Sequence, residues 1–337
     1  MRFAFSEEQR LFQEALAGML AEQCPPEAVA EAWNGDSGRI PGLWAKLAEM
    51  GVVGLSVPEA HGGLGLDQLD WVLLLQEAGR AALPEPLLET SAVAAPLLSE
   101  LGGELANEWL PRIAAGEAVV ALGLDPAPWV ADAHEADLFL LQAGDEIHAL
   151  SPQEVRATAQ PSVDGARRLF RVEWEPSERT RAAAGEGGRE LLALTLDRAA
   201  LGAAAQLVGL ARAMLDRSVD YAKKREQFGQ AIGAFQAVKH QLSDALLQIE
   251  FARPLVAHAA YTLVHDWYTR SRDVSTAKAR ASDAALQCAK TALQCHGAIG
   301  YSFEYPLHLW MKRSWSLAAA HGDAAWHRSR LAKLLLD

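Results

Sequence analysis

The stretch Tyr221–His240, YAKKREQFGQAIGAFQAVKH, joins two long helical patterns. The first runs in from about Leu191 and ends in Lys223, Lys224 and Arg225; the second starts near Phe235 and continues through Ala260. Cationic side chains suit the last turn of a helix, where the carbonyl dipoles point outward. Gly229 and Gly233 suit the turn that follows, where the backbone leaves the helix. Two readings fit the residues. One is a solvated basic corner between helices. The other is a phosphate grip, with an Arg225 fork, amide donors from Gln227 and Gln236, and a flat Phe228 to pack against a ring. Composition alone favours the first, because basic helix ends are common.

Working outward from this corner, the C-terminal side is helical throughout. Periodicity predicts helices over about 189–224, 232–270, 273–297 and 305–335, the second bent near Pro254. On the N-terminal side, Gly185–Gly188 reads as a polar hinge. Before it, VVALGL, DLFLLQAGDEIHALS and RLFRVEW carry β-branched or alternating apolar residues between Gly, Pro and Asp breaks, so several short strands are expected in about 118–176. Residues 1–116 read as helical. Ser6 before Glu7 and Glu8 caps a first helix that a break at Pro25–Pro26 ends. Further helices are expected over about 41–50, 67–82, 87–101 and 104–115, with a Gly-rich loop at 58–66. The expected fold is mainly α with a small β-domain: a helical domain at 1–117, the β-domain at 118–185 and a helical bundle at 186–337.

The chain has 337 residues and a net charge of −12. That balance gives no support to nucleic-acid binding. No apolar run in the sequence reads as long enough for a membrane span, and the opening MRFAFSEEQRLF lacks a signal-peptide core and reads as the first helix. Cys24, Cys288 and Cys295 are odd in number and unevenly spaced, so neither a disulfide framework nor a zinc site follows, and a reducing, cytoplasmic setting is the default. Lys278, Arg280 and Lys290 read as a solvated helix face.

The ordered motifs resemble the acyl-CoA dehydrogenase family along most of the chain. FSEEQRLFQE is similar to its opening helix, and WAKLAEMGVVGLSVPEAHGG (44–63) to its W-x-x-L-x-x-x-G…P-E-x-x-G-G segment. Arg225–Gly229 followed by Phe235-Gln236 resembles R-x-x-F-G…x-Q. Gln294–Tyr301 followed by Glu304-Tyr305-Pro306 resembles Q-x-x-G-G-x-G-Y/F…E-x-P. The resemblance implies FAD, an acyl-CoA substrate, and removal of hydrogens from its Cα and Cβ, with an electron-transfer flavoprotein as acceptor. In the family these turns contact the ADP half of an FAD held mainly by a neighbouring subunit. That role carries over to Arg225, Gln227, Phe228, Gln236, Gln294 and Gly297, and to Ala298, which replaces the second glycine of its loop.

The resemblance also implies a carboxylate base. Where one branch carries Glu in an E-G-T segment, this chain has His321-Gly322-Asp323. The other branch places the base early in the first bundle helix, here Asp197, followed by Arg198 as a substrate-binding candidate. The alternative for Asp197 is an ion pair on the helix surface, with Arg198 or a neighbouring turn. The small residues Gly202–Ala205 would let a flavin approach the helix closely. Asp197 and Arg225 are 28 residues apart, about 40 Å along one helix. An extended FAD is about half that long, so the two would serve different cofactors, and each site would need two chains.

The family's flavin-cradling T-E-P-x-x-G-S-D segment corresponds here to Ala121–Pro128, without its hydroxyl and Gly-Ser donors. Asp323 and Ala325 stand where polar FAD contacts are usual. This combination resembles the short subunits of heteromeric acyl-CoA dehydrogenases of bacterial steroid side-chain breakdown. It implies a longer partner in an α2β2 assembly and a steroid-type acyl-CoA. A self-sufficient homo-oligomeric flavoenzyme and a non-catalytic structural subunit remain as alternatives.

Overall fold

The computed structural model describes residues 4–336; the opening Met-Arg-Phe of the expected first-helix stretch lies outside the described residues. Ser6 starts helix α1 (Glu7–Gln23) as expected: its hydroxyl accepts the Gln9 amide at 3.1 Å, and Gln9 Oε1 accepts the Ser6 amide at 2.9 Å. This reciprocal cap satisfies two otherwise orphaned donors. The Pro25–Pro26 break is brief, because Pro26 opens a second helix that the sequence reading lacked, α2 (Pro26–Asn34). Proline is favourable at the first helical position, where its missing N–H has no intrahelical partner to lose.

Helices α3 (Leu43–Glu49) and α4 (Gln68–Arg80) flank the Gly-rich loop. Residues Leu87–Ala94 form a π-helical segment that leads into α5 (Ala95–Leu101), and α6 (Gly103–Ala114) follows. The β region holds β1 (Val120–Gly123), β2 (Val130–Ala131), β3 (Leu138–Ala143), β4 (Glu146–Leu150), β5 (Arg156–Gln160), β6 (Leu169–Glu173) and β7 (Arg181–Ala183). They make a four-stranded sheet ordered β1-β3-β4-β7, with β1 parallel to β3, and a three-stranded antiparallel sheet ordered β2-β6-β5. Ala121, Phe139, Leu141 and Leu150 pack in one apolar cluster with Val130, and Phe170 and Trp174 close over it.

The expected hinge at Gly185–Gly188 is instead the first turn of α7 (Gly185–Lys224), a 40-residue helix. A two-residue hairpin follows, β8 (Glu226–Gln227) and β9 (Gln230–Ala231), then α8 (Gln236–Val264) and α9 (Arg270–His296). Pro254 lies inside α8, which continues on both sides of it. The single helix expected over 305–335 is two, α10 (Leu307–Ala319) and α11 (Ala324–Leu336). His321 and Gly322 take left-handed φ values of 54° and 90°, which reverse the chain, and Asp323 Oδ1 accepts the Trp326 amide at 2.7 Å to cap α11. Asp323 is thus a helix cap.

The chain divides into two compact units, neither continuous in sequence. One comprises residues 1–30, 72–83 and 203–337; the other comprises 31–71 and 84–202. In the first, α8 and α9 pack side by side, and α10 and α11 pack on α9. Lys278 on α9 is fully buried, which corrects its reading as a solvated residue. Its ammonium donates to the carbonyls of Ala318 (3.1 Å) and Gly322 (2.9 Å), so it satisfies acceptors exposed where α10 ends. His327 Nε2–H donates to the His321 carbonyl at 3.0 Å, and burial with Lys278 nearby pushes this imidazole down to about 3, so it stays neutral. The turn that would carry a catalytic glutamate in the family is held from within by these two side chains.

The small residues of α7 also have a packing role. A Cβ on Gly209 would lie 1.9 Å from the Gln76 carbonyl oxygen, and one on Gly79 would lie 2.1 Å from that of Gln206. Helices α4 and α7 therefore meet backbone to backbone in this unit, and Ala203–Ala205 are fully buried. The same apolar content makes α7 long and apolar enough to cross a membrane by length and composition, contrary to the sequence reading. However, 72% of its most apolar window is buried inside the fold, as in a core helix.

In the second unit, Arg39 bridges Asp132 at 2.9 Å and Glu135 at 3.3 Å. Glu85 accepts the Ile40 amide at 3.0 Å, and burial raises it to about 7, against the pull of Arg39.

Two predictions follow from these contacts. Gly209→Ala must separate α4 from α7, and chemical denaturation should show a loss of roughly 2–4 kcal/mol; a loss below 0.5 kcal/mol contradicts the close approach. Glu85 binds its proton more tightly folded than unfolded, where its value is 4.5. Its contribution is fully present below pH 4.5 and falls as pH rises towards 7, by up to roughly 3 kcal/mol. Glu85→Gln keeps an acceptor for Ile40 and should flatten the stability profile between pH 4.5 and 7; an unchanged slope contradicts the assignment.

Candidate nucleotide-binding cleft

Helix α7 ends because Arg225 leaves it into the hairpin. Gln227 pairs with Gln230, and both residues between them have positive φ, 54° at Phe228 and 80° at Gly229. Two left-handed residues in a two-residue loop are the mark of a type I′ turn, which matches strand twist. Glycine adopts this freely and phenylalanine does not, so Phe228 holds strained backbone. Its ring is 92% exposed at the tip and meets Phe235 edge-on, with centroids 6.2 Å apart.

Beside the hairpin lies an open cleft of about 1130 Å³. Arg225, Gln227, Gln294, Gly297 and Ala298 all line it, although the chain positions lie as much as 73 residues apart (298 minus 225). Gly297 ends α9 with φ 63°, a conformation glycine tolerates. Ala298 is not left-handed, so its methyl replaces a glycine hydrogen without backbone strain. Phe228 and Gln236 do not line the cleft, and Gln236 is the exposed first residue of α8.

The sequence reading missed much of the lining. Arg217, Tyr221 and Arg225 recur every four residues, which sets them along one face of the helix end, and all three line the cleft with Asp220 and Lys224. Tyr305 and His296 form its aromatic wall: Tyr221 stacks on His296 at 4.4 Å, and Tyr305 tilts against it at 4.9 Å. Burial lowers the His296 imidazole's value, keeping it neutral, so Nδ1–H donates to the Ala292 carbonyl at 2.8 Å. Nε2 then accepts from the Tyr305 hydroxyl at 3.1 Å. Burial raises the Cys295 thiol, so it stays protonated. Three cations and one carboxylate make the cleft electropositive in a chain of net charge −12. With amide donors and an aromatic wall, these residues fit a nucleotide diphosphate.

The other candidates lie elsewhere. Asp197 is fully buried in α7 and engaged with the surrounding protein, so it is not a carboxylate on the helix surface. Arg198 instead clasps Glu100 through two bonds of 2.8 and 2.7 Å. At Ala121–Pro128 the chain runs from β1 into a segment whose only charged side chain is Asp125. No hydroxyl donor is present there to meet a flavin edge.

The structure is mainly helical: a helical N-terminal region, a small β region and a long-helix bundle carrying a cation-lined cleft that suits a nucleotide. Residues 6–117 match the acyl-CoA dehydrogenase N-terminal domain, and residues 186–336 match the C-terminal domain. The acyl-CoA dehydrogenase IpdE2 of Mycobacterium tuberculosis is 34% identical over 321 residues, covering 94% of this chain and 92% of that one. IpdE2 of Mycolicibacterium smegmatis is 33% identical, covering 95% and 94%. The ChsE4-ChsE5 complex of Mycobacterium tuberculosis contains a chain with the same fold, at TM-score 0.88 and 23% identity over 100% of this chain and 99% of that one. The chain belongs to the acyl-CoA dehydrogenase family. It is an oxidoreductase of that type, and the family's cofactor is FAD.

The hairpin yields a prediction that separates strain from function. Phe228→Asn suits a left-handed turn position and should raise stability by about 1 kcal/mol in urea denaturation. A destabilised variant would show that the Phe228–Phe235 contact outweighs the strain.

Proposed function

We propose that this chain is the short subunit of a heteromeric acyl-CoA dehydrogenase, and that its cleft grips the ADP half of an FAD whose flavin end belongs to another subunit. One observation carries the reading. Arg225, Gln227, Gln294, Gly297 and Ala298 share one cation-rich cleft, whereas Ala121–Pro128 offers no hydroxyl donors for a flavin. When bound, FAD supplies the hydride acceptor for oxidation of the Cα–Cβ bond of an acyl-CoA thioester. Arg225 holds a phosphate through its planar fork. Gln227 and Gln294 donate amides, and Gly297 keeps the backbone open to close approach. Phe228, exposed at the hairpin tip, and Gln236, at the start of α8, are assigned to the same cofactor where a second subunit completes the site.

The partner is a longer acyl-CoA dehydrogenase chain in an α2β2 assembly. The substrate is a steroid-type acyl-CoA, the acceptor is an electron-transfer flavoprotein, and the setting is cytoplasmic. The likeness to the ChsE4-ChsE5 complex and to the Tcur3481-Tcur3483 steroid ACAD supports this choice over a homo-oligomer. A self-sufficient enzyme would use Asp197 as base and Arg198 at the substrate. In this chain Asp197 would first have to be uncovered, because proton transfer needs hydrogen-bond contact with the substrate carbon. A purely structural subunit has no need of three cations around one cleft.

Purifying the chain alone and with the longer subunit encoded beside it, then counting FAD by absorbance, tests the proposal. The expected result is little or no FAD alone and fewer FADs than chains in the complex, with occupancy falling about tenfold or more in Arg225→Ala. One FAD per chain in the isolated protein contradicts the shared site. Full occupancy in Arg225→Ala removes the grip.

A further inference from the structure

We propose that Arg217 is a second phosphate arm of the cleft, and that Arg217 and Arg225 together make it select a diphosphate over a monophosphate. The inference rests on the nucleotide reading of the cleft and adds a residue outside the R-x-x-F-G turn. Arg217 lies two helical turns before Arg225, about 12 Å along the axis, and both line the same opening. Its guanidinium sits 3.7 Å from the centroid of the Trp310 ring. Trp310 is itself fixed, buried with its indole N–H donating to the Arg80 carbonyl at 2.8 Å. A flat aromatic seat holds an arginine in place while leaving its N–H edge available.

The charge pattern separates these two arginines from others in the chain. Arg39, Arg167 and Arg198 each pair with a carboxylate, Asp132, Glu89 and Glu100 respectively. Among the described residues neither Arg217 nor Arg225 has a carboxylate within ion-pair distance. Burial lowers the Arg217 guanidinium's value, against the weaker pull of Tyr305, Glu27 and Asp220 from further away. Two unpaired guanidinium forks along one cleft wall, with Lys224 between them in sequence, suit two linked phosphates. A diphosphate offers each fork its own phosphate, whereas both forks would have to share the three free oxygens of a monophosphate. The aromatic wall of Tyr305 and His296 then offers a surface to the base of the nucleotide.

Calorimetric titration of the full-length chain with ADP and with AMP tests this without flavin or turnover. The wild-type chain should bind ADP about tenfold or more tightly than AMP. Arg217→Met, which keeps apolar cover over Trp310, should weaken ADP about tenfold and leave AMP within about twofold, so that selectivity is lost. Arg217→Lys keeps the charge without the fork and should retain part of the preference; it decides the matter if the Met variant misfolds. An unchanged ADP-to-AMP ratio in a folded Arg217 variant overturns the role of Arg217. If Arg225→Ala still weakens ADP in that case, the nucleotide cleft itself stands. If ADP binds neither wild-type nor variant chains, both fall.

Discussion

The cation-lined cleft depends on how α7 ends. Forty residues of helix stop at Lys224, and a two-residue hairpin turns the chain through left-handed Phe228 and Gly229. That ending leaves Arg225 outside the helix, without an acidic partner among the described residues, lining the same cleft as Gly297, where α9 stops. The turn would be easier with asparagine at position 228. Local strain with an exposed aromatic ring at its tip is the kind of cost a binding site retains and a packed core removes.

The same helix is committed to packing along its small face. The small residues of α7 meet the backbone of α4 through Gly79 and Gly209, so that contact serves packing. The turn at His321–Asp323 is likewise committed to structure. Lys278 and His327 hold its carbonyls, and Asp323 caps α11. The turn that the resemblance offered as a place for the base is thus tied down by ordinary hydrogen bonding.

Much of the fold could be read locally. Capping at Ser6, the strands after Val119, and the end of α7 follow from propensity and turn chemistry. Five of the expected cofactor contacts meet in one cleft because motif order reflects the way α7 and α9 end. The rest depended on tertiary burial, which spacing does not reveal. Lys278 resembles any surface lysine until α10 presents its carbonyls. Asp197 next to Arg198 looks like an exposed pair, yet one is buried and the other turns to Glu100. Arg217 became visible only through the face it shares with Tyr221 and Arg225 and its seat on Trp310. Pro26 reads as a break because proline stops a helix from within, although it also starts one well.

The central claim is that this chain grips one end of an FAD whose other end is held elsewhere. A structure of the flavin-loaded assembly with the longer subunit tests it most directly. The account predicts the diphosphate against Arg225 and the isoalloxazine ring on the partner chain. A flavin ring seated against Ala121–Pro128 of this chain would contradict it, as would a diphosphate remote from Arg225.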